Sequence, residues 1–199
     1  MRYCATATLS DDHPYRHPTA AEAADGIAGV RRLIRGGDAD AMLGPLGFSV
    51  TSGVDLESQR PYALAQSETG PSGERAWAVV LVDRSVPVSM VIGSPRSFIS
   101  RRWWVRTRLV GAAGVAAGIS VVLIAGAHRD AGPNGSADPR DNPETLFHQL
   151  AANFMAKGGL PHLQLHGYAD VRAPGTDVVL SSGPTLPDDR FRRVSRGLA

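Results

Sequence analysis

Short apolar runs separated by turn residues follow one another in the first half of the chain, after residue 46. They are rich in β-branched and aromatic residues, and they predict the strands GFSVTSG (47–53), PYALAQSE (61–68), AWAVVLVD (76–83) and VPVSMVIG (86–93). Because only short connections separate these runs, we expect consecutive antiparallel strands, with a turn at residues 83–85 between the last two.

One helix is expected before these strands. Thr19 can cap a helix, and the sequence AAEAADGIAGVRRLIR (20–35) that follows it ends at a pair of glycines. Residues 41–43 predict a further short turn. Prolines in residues 1–18 oppose helix formation, so that segment is expected to be irregular.

Helical and strand patterns alternate in the second half. The predicted order is a helix at 99–118, the strand ISVVLIAGA (119–127), the helix ETLFHQLAANFMAK (144–157), the strand HLQLHGYAD (162–170) and the strand VVLSSG (178–183). Asn142 is the expected cap of the second helix, with Pro143 in its first turn. Strands that alternate with helices pair in parallel through right-handed crossovers.

These patterns together predict the fold class. We expect an α/β protein with a single three-layer domain and a mixed sheet, whose strands are antiparallel in the first half and parallel in the second. The domain is predicted at 19–185, between the irregular segment 1–18 and a basic C-terminal tail at 186–199. A chain of 199 residues is long enough for one such core and short for two.

Residues 109–127 allow a second interpretation, because they contain no charge and follow a basic segment with two tryptophans. Those features are typical of a transmembrane helix. Repeated glycines and the β-branched run that ends the segment favour a helix leading into a buried strand, so we expect no membrane span. The first thirty residues lack the pattern of a signal peptide, and we expect a cytoplasmic protein, unless an export signal lies upstream.

Composition narrows the functional classes. The formal net charge is +2, with 43% hydrophobic and 20% charged residues, which is typical of a globular protein. Basic residues cluster with aromatic ones only at 101–108, so we do not expect nucleic-acid binding. Cys4 is the one cysteine, which excludes an intramolecular disulfide and a cysteine-rich metal site.

Candidate chemistry lies where the later strands end. Ligands of parallel sheets bind at the carboxyl ends of the strands, and polar residues follow the strands there in GAHRD (126–130), LHGYAD (165–170) and LSSG (180–183). His128 and His166 are therefore candidate ligands for zinc, with Asp130 or Glu144 as the carboxylate. Manganese, iron and cobalt accept the same donors. Arg129 is a candidate clamp for a substrate carboxylate.

Each of these residues also has a structural interpretation. A histidine at a strand end is often only a hydrogen-bonded loop residue. Arg129 can pair with Asp130 or Asp141 instead of a substrate, and Glu144 can serve the dipole of the helix that it begins. We expect His148 on a solvated helix face, while His162 precedes a strand and shares a face with His166.

The order of segments resembles a group of bacterial proteins. The segments are LGFSVTSG, RPYALAQSE, AWAVVLVDRS, VVLIAGAHRDA, ETLFHQL, LQLHGYAD and a closing LSSG. They are similar to proteins with the phosphorylase/hydrolase-like fold, which includes N-formylglutamate amidohydrolases, polyglutamate hydrolases and zinc carboxypeptidases. The resemblance implies a zinc ion held by two histidines and a carboxylate, which activates water to cleave an amide or peptide bond. It implies that His166 is the last of the ligands.

One departure from the resemblance concerns the segment after VPVSMVIG. The resemblance implies a His-Pro pair there, with an acidic residue shortly after it, whereas this chain has Ser94 and Pro95 followed by a basic residue. Either the metal is held differently, through His128, Asp130 and His166, or catalysis has been lost.

The sequence therefore predicts a zinc-dependent amide or peptide hydrolase, or a degenerate relative of one. Its substrate is expected to be a small molecule or peptide with an amide bond, with Glu144 and Arg129 in catalysis. The alternative is a non-catalytic binding protein of the same fold, which uses the Arg/Trp surface at 101–108 for an anionic partner. Anchoring to a membrane through residues 109–127 is a third possibility.

Overall fold

A computed structural model describes residues 14–56, 58–68, 73–95 and 120–164, together with residues 189 and 192. The elements of this part are α1 (Ala20–Ile34), α2 (Asp40–Leu43), β1 (Phe48–Val54), β2 (Pro61–Ser67), β3 (Ala78–Asp83), β4 (Val91–Ser94), β5 (Val121–Ala125), α3 (Leu146–Gly158) and β6 (His162–Gln164). The chain divides into two units, residues 1–166 and 167–199, and all of these elements belong to the first. The predicted boundary at 185 and the basic tail stay predictions.

The strands form one mixed sheet in the order β1-β2-β3-β5-β4-β6. Antiparallel pairing joins β1 to β2, β2 to β3 and β3 to β5. β4 is parallel to both of its neighbours, β5 and β6. The mixed α/β fold predicted from the sequence is confirmed. The helix predicted at 99–118, which would supply one outer layer, and the strand predicted at 178–183 lie outside the described residues.

The predicted hairpin between β3 and β4 is wrong, because β5 lies between these two strands. The carboxylate of Asp83 does accept hydrogen bonds from Ser85, so the chain turns after β3 as expected. The ordered strand β4 begins only at Val91, however, and the intervening residues carry the chain past the position of β5. Ser120, just before β5, holds this connection by accepting the main-chain N–H of Ser89 at 3.1 Å.

The two long helices begin at threonine caps. Thr19 and Glu22 form a reciprocal capping box at α1, which confirms the predicted cap. The predicted cap of α3 is wrong: its cap is Thr145, whose hydroxyl accepts the N–H of His148 at 3.3 Å. The side chain of Asn142 instead accepts the N–H of Glu144 at 3.1 Å, which forms a tight turn before the helix.

The core lies where the helices cover the sheet. Alternate residues of β2, β3 and β5 are buried, as the period of two in an extended chain requires. They pack with apolar side chains of the helices in one hydrophobic cluster that includes Ala63, Ala65, Ala78, Val80, Val82, Val121, Leu123, Leu33, Leu43, Phe147 and Leu150. Within residues 109–127, the part that the structure describes includes all of β5, a strand paired on both sides. None of the described helices has the length and apolarity that crossing a membrane requires.

Candidate functional site

The carboxyl ends of β5, β4 and β6 lie at one edge of the sheet. The pairing places Ser94 of β4 beside Ile124 of β5, and Gly93 of β4 beside Gln164 of β6. His128 follows β5 at this edge. The residue that ends the middle strand is Ser94, at the position where the resemblance implies a histidine. Ser94 is half-buried, and Pro95 after it is buried.

A tight turn after β5 carries three of the predicted site residues, and we refer to His128, Arg129 and Asp130 as the His128 turn. The main-chain N–H of Ala131 donates to the carbonyl of His128 at 3.0 Å and closes the turn. The N–H of Asp130 donates to Nδ1 of His128 at 3.3 Å, and the Asp130 carboxylate Oδ2 lies 3.6 Å from the same nitrogen. The side chains of the three residues are 33%, 39% and 54% exposed. They are ordered by local contacts and accessible to a ligand.

The contacts of His128 define its hydrogen-bonding state. A ring nitrogen that accepts a hydrogen bond offers a lone pair, so in the neutral ring the proton lies on the other nitrogen, Nε2. In that state Nε2 is a hydrogen-bond donor. Ligation of a metal through Nε2 requires the other tautomer, with the proton on Nδ1. In that tautomer, a small rotation of the Asp130 side chain would let its carboxylate accept a hydrogen bond from Nδ1.

Arg129 pairs with its neighbour and not with the other carboxylate that the sequence offered. Its Nε lies 3.3 Å from Oδ1 of Asp130. Asp141 is paired with Arg140 at 2.5 Å, and the hydrogen bonds from that guanidinium hold the pKa of Asp141 below its ordinary value. An exposed pair such as Arg129–Asp130 contributes about 0–1 kcal/mol. Exchange of Asp130 for a substrate carboxylate would therefore cost little.

The rest of the predicted set is not gathered around the His128 turn. Glu144 is exposed in the turn before α3, where its carbonyl accepts the side-chain amide of Gln149 at 3.0 Å. Its expected place in the first turn of the helix is wrong, because α3 begins at Leu146. His166 lies outside the described residues. Among the residues that the structure does describe, no three His, Cys, Asp or Glu side chains come together as a metal site.

The N-terminal segment supports the loop that follows the His128 turn, a feature that the sequence did not predict. Tyr15 packs against Gly132 so closely that a Cβ on that glycine would lie 2.9 Å from the Cβ of Tyr15. The side-chain amide of Asn142 donates to the carbonyl of Ser136 at 3.0 Å and lies 3.1 Å from Nε2 of His17. The contacts of Tyr15 with Gly132 and of Asn142 with His17 join residues more than a hundred positions apart, so no local pattern indicated them.

Two further histidines differ from expectation. His148 is half-buried, and its Nδ1 lies 3.1 Å from the carbonyl of Pro139, so the predicted solvated face is wrong. His162 lies within β6, beside Val91 at the start of β4 and therefore at the opposite end of the parallel strands from Ser94. Burial lowers the pKa of His162 to about 4. It does not belong to the candidate site.

A second group of charged residues lies at the same edge, around the buried ring of Trp77. This Trp77 cluster consists of Trp77, Arg16, Arg75, Glu22 and Glu74. The carbonyl of Trp77 accepts the N–H of Gly126, just before the His128 turn, at 3.5 Å, and its indole N–H donates to the carbonyl of Arg16 at 2.8 Å.

The charges of the Trp77 cluster pair among themselves. Arg16 donates to both carboxylate oxygens of Glu22, at 2.8 and 2.7 Å. The guanidinium carbons of Arg16 and Arg75 lie 5.0 and 5.4 Å from the centre of the indole ring. Glu74 lies within 3.8 Å of Arg16 and 3.9 Å of Arg75, which balances two cations with two carboxylates. The cluster ties the N-terminal segment to the sheet.

Comparison with known proteins adds no assignment: no family model, curated protein or solved structure matches the chain. The site therefore has to be interpreted from its own geometry.

Proposed function

We propose that this protein is a metal-dependent hydrolase, with zinc as the favoured metal, that cleaves an amide or peptide bond, or a relative of such an enzyme that has kept the site and lost the reaction. The observation that carries the proposal is the His128 turn. It holds an accessible imidazole with a carboxylate beside its Nδ1, at the carboxyl end of a strand parallel to its neighbour. The resemblance of the chain to the phosphorylase/hydrolase-like proteins supports the same function.

The proposed metal ligands are His128, Asp130 and His166. The donor set suits zinc, which prefers imidazole and carboxylate ligands in sites that leave a position open. His128 and Asp130 would hold the same ion through Nδ1 and Oδ2, which lie 3.6 Å apart, once the main-chain N–H of Asp130 releases the lone pair of Nδ1. A zinc ion supplies a Lewis acid that polarises a carbonyl and activates water.

The protein's own groups would bind and orient the substrate. Arg129 would exchange Asp130 for a carboxylate of the substrate, because a guanidinium binds such groups through two parallel hydrogen bonds. This exchange would release Asp130 from Arg129, so that Asp130 could bind the metal together with His128. Glu144 forms no group with His128 and Asp130 in this structure, so its expected role as the base that moves a proton from water to the leaving amine would require the turn before α3 to approach the His128 turn.

A metal-free alternative is favoured by two observations. The middle strand ends in Ser94 and not in a histidine, and Nε2 of neutral His128 is a donor because Asp130 donates to Nδ1. A donor imidazole beside Arg129 suits an anionic ligand better than a metal. The alternative is a non-catalytic binding protein of the same fold; the Arg/Trp surface predicted for its anionic partner, residues 101–108, lies outside the described residues.

Elemental analysis of the purified chain tests the proposal. We expect near-stoichiometric zinc in the wild type, its loss in His128→Ala/His166→Ala, and its retention in Asp141→Asn, a control that removes an exposed carboxylate paired elsewhere. Zinc-loaded protein would then be assayed on N-acyl amino acids and short peptides. Wild-type protein that takes up no zinc from excess metal would contradict the proposal, and binding of anions that weakens with salt would then support the alternative.

A further inference from the structure

The loop after the His128 turn contains a chemically labile pair, Asn134 and Gly135. The chain has three asparagines, at positions 134, 142 and 153, and the structure describes all of them. Asn134 is exposed in a short 3-10 turn (Pro133–Gly135) and has a left-handed backbone, with φ of 54° and ψ of 33°. Gly135 after it also has a positive φ, of 67°. Its lack of a side chain leaves its amide nitrogen sterically open.

The other two asparagines are protected in different ways. Asn142 is held by hydrogen bonds through both ends of its side-chain amide, and Pro143 after it has no N–H that could attack. Asn153 lies within α3, and the residue after it, Phe154, is buried. Backbone amides within a helix are engaged with the carbonyl four residues earlier.

We propose that Asn134 is a site of spontaneous deamidation that gives aspartate and isoaspartate. The amide nitrogen of Gly135 attacks Cγ of Asn134, so that a nitrogen–carbon bond forms in a five-membered succinimide. The bond from Cγ to Nδ2 breaks, and the side-chain nitrogen leaves as ammonia with the proton from Gly135. Water then opens the ring at either carbonyl, which gives aspartate or isoaspartate.

The position of this pair connects the modification to the candidate site. A Cβ on Gly135 would lie 3.4 Å from the carbonyl oxygen of Arg129 and 3.9 Å from Cα of Asp130, so the two main chains lie close together. The next turn depends on the same residue, because the N–H of Asp138 donates to the carbonyl of Gly135 at 3.0 Å. Isoaspartate adds a methylene to this main chain, and both products add a negative charge at position 134. The His128 turn then has to adjust.

Incubation of the full chain in mildly alkaline buffer, followed by peptide mass spectrometry that separates aspartate from isoaspartate, tests the proposal. We expect conversion at position 134 in the folded chain at a rate similar to that in urea. Asn153 should lose its conversion when the chain folds, and Asn142 should show none in either state. Conversion at position 134 that occurs in urea but not in the folded chain would overturn the proposal.

A second measurement tests the effect on the His128 turn. Hydrogen exchange of residues 128–138 should be faster in the converted protein than in fresh protein. Asn134→Gly, which tolerates the positive φ and has no carboxamide to lose, should show no change over the same incubation. Equal exchange before and after conversion would contradict the coupling. Neither measurement depends on zinc or activity, so its outcome is independent of the proposed hydrolase function.

Discussion

Two groups of charged residues lie at the same edge of the sheet, and they differ in their burial and in the length of their ion pairs. In the Trp77 cluster the indole ring is 2% exposed, and Glu22 binds Arg16 through two bonds of 2.7 and 2.8 Å. In the His128 turn the ion pair is longer, at 3.3 Å, and the carboxylate of Asp130 is 54% exposed. Both groups contain arginine and carboxylate, so residue type does not separate them.

The difference shows which group is available for a ligand. A closed and electrically balanced network contributes to stability, and the polar atoms that it leaves without a hydrogen bond, Nε of Arg75 and Oε2 of Glu74, are buried and inaccessible to a ligand. An open turn contributes little to stability and can exchange its internal contacts for those of a ligand. Substitutions in the Trp77 cluster should therefore change the free energy of unfolding, and substitutions in the His128 turn should change binding.

The largest effect is expected for Trp77→Ala. Removal of a buried tryptophan leaves a cavity and costs about 3–5 kcal/mol of unfolding free energy. Arg16 and Arg75 would also lose the ring that they cover. Urea denaturation measures the change. Leu56→Ala is the control: Leu56 is 80% exposed, so its truncation should change the free energy of unfolding by less than about 0.5 kcal/mol. A similar small shift for Trp77→Ala would remove the distinction between the two groups.

Gly132→Ala should have the next largest effect, because Gly132 joins the N-terminal segment to the loop after the His128 turn. Its φ is 74°, and an added Cβ would contact both Ser136 and Tyr15. Overpacking of this kind costs about 1–3 kcal/mol in addition to the cost of a positive φ. Gly36→Ala is the matched control, since Gly36 has a φ of 82° and no atom within 4 Å of the added Cβ. Equal losses in the two variants would mean that the contact with Tyr15 is unimportant.

Glu22→Gln should have a smaller effect that depends on pH. The hydrogen bond from Arg16 is the main cause that lowers the pKa of Glu22 from 4.5 to about 2. Because the folded chain holds this carboxylate ionised, its contribution is present above the ordinary pKa and is lost as the pH falls towards 2. Loss of the charged half of the capping box and of the pair with Arg16 should cost about 1 kcal/mol at neutral pH.

Urea denaturation at several pH values between neutral and acid checks this prediction. The difference between wild type and Glu22→Gln should shrink as the pH falls through the range between the two pKa values. Glu68→Gln, which removes an exposed carboxylate after β2, is the matched control for the loss of one negative charge. If the difference in unfolding free energy between wild type and Glu22→Gln stays constant down to acid pH, the charge of the Glu22 carboxylate does not contribute to stability.

Local patterns predicted local structure in this chain, and distant contacts decided the rest. Thr19 stands directly before a helical pattern, so its cap could be predicted, and the run PYALAQSE (61–68) indicated the strand β2 (Pro61–Ser67). The pairing of β3 with β5 could not be recognised, because the apolar run before β4 suits a hairpin equally well. The indole bond of Trp77 to Arg16 and the packing of Tyr15 on Gly132 depend on where the N-terminal segment lies, which the sequence of that segment does not indicate.

The candidate site, like the fold, was predicted only where its residues are neighbours in the sequence. His128, Arg129 and Asp130 are adjacent in the chain, so a turn after a strand was enough to bring them together. The pairing of Arg129 with Asp130 was one of three alternatives left open by the sequence, the others being Asp141 and a substrate carboxylate. The tautomer of His128 could not be predicted, because it depends on a main-chain N–H whose direction follows from the turn.

The smallest change in stability is expected for Asp130→Asn, and this variant separates the two groups most sharply. The Asp130 carboxylate is exposed and pairs with Arg129 at 3.3 Å, so its loss should shift the unfolding free energy by less than about 1 kcal/mol. An asparagine keeps the main-chain N–H that donates to Nδ1 of His128, but it no longer supplies an anionic ligand beside that nitrogen. Zinc titration followed by elemental analysis should therefore show weaker uptake, about 10–100-fold for loss of such a partner, while Asp141→Asn binds like the wild type. Unchanged zinc affinity in Asp130→Asn would mean that Asp130 neither binds the metal nor orients His128, and a large loss of stability would place the His128 turn with the Trp77 cluster as a structural element.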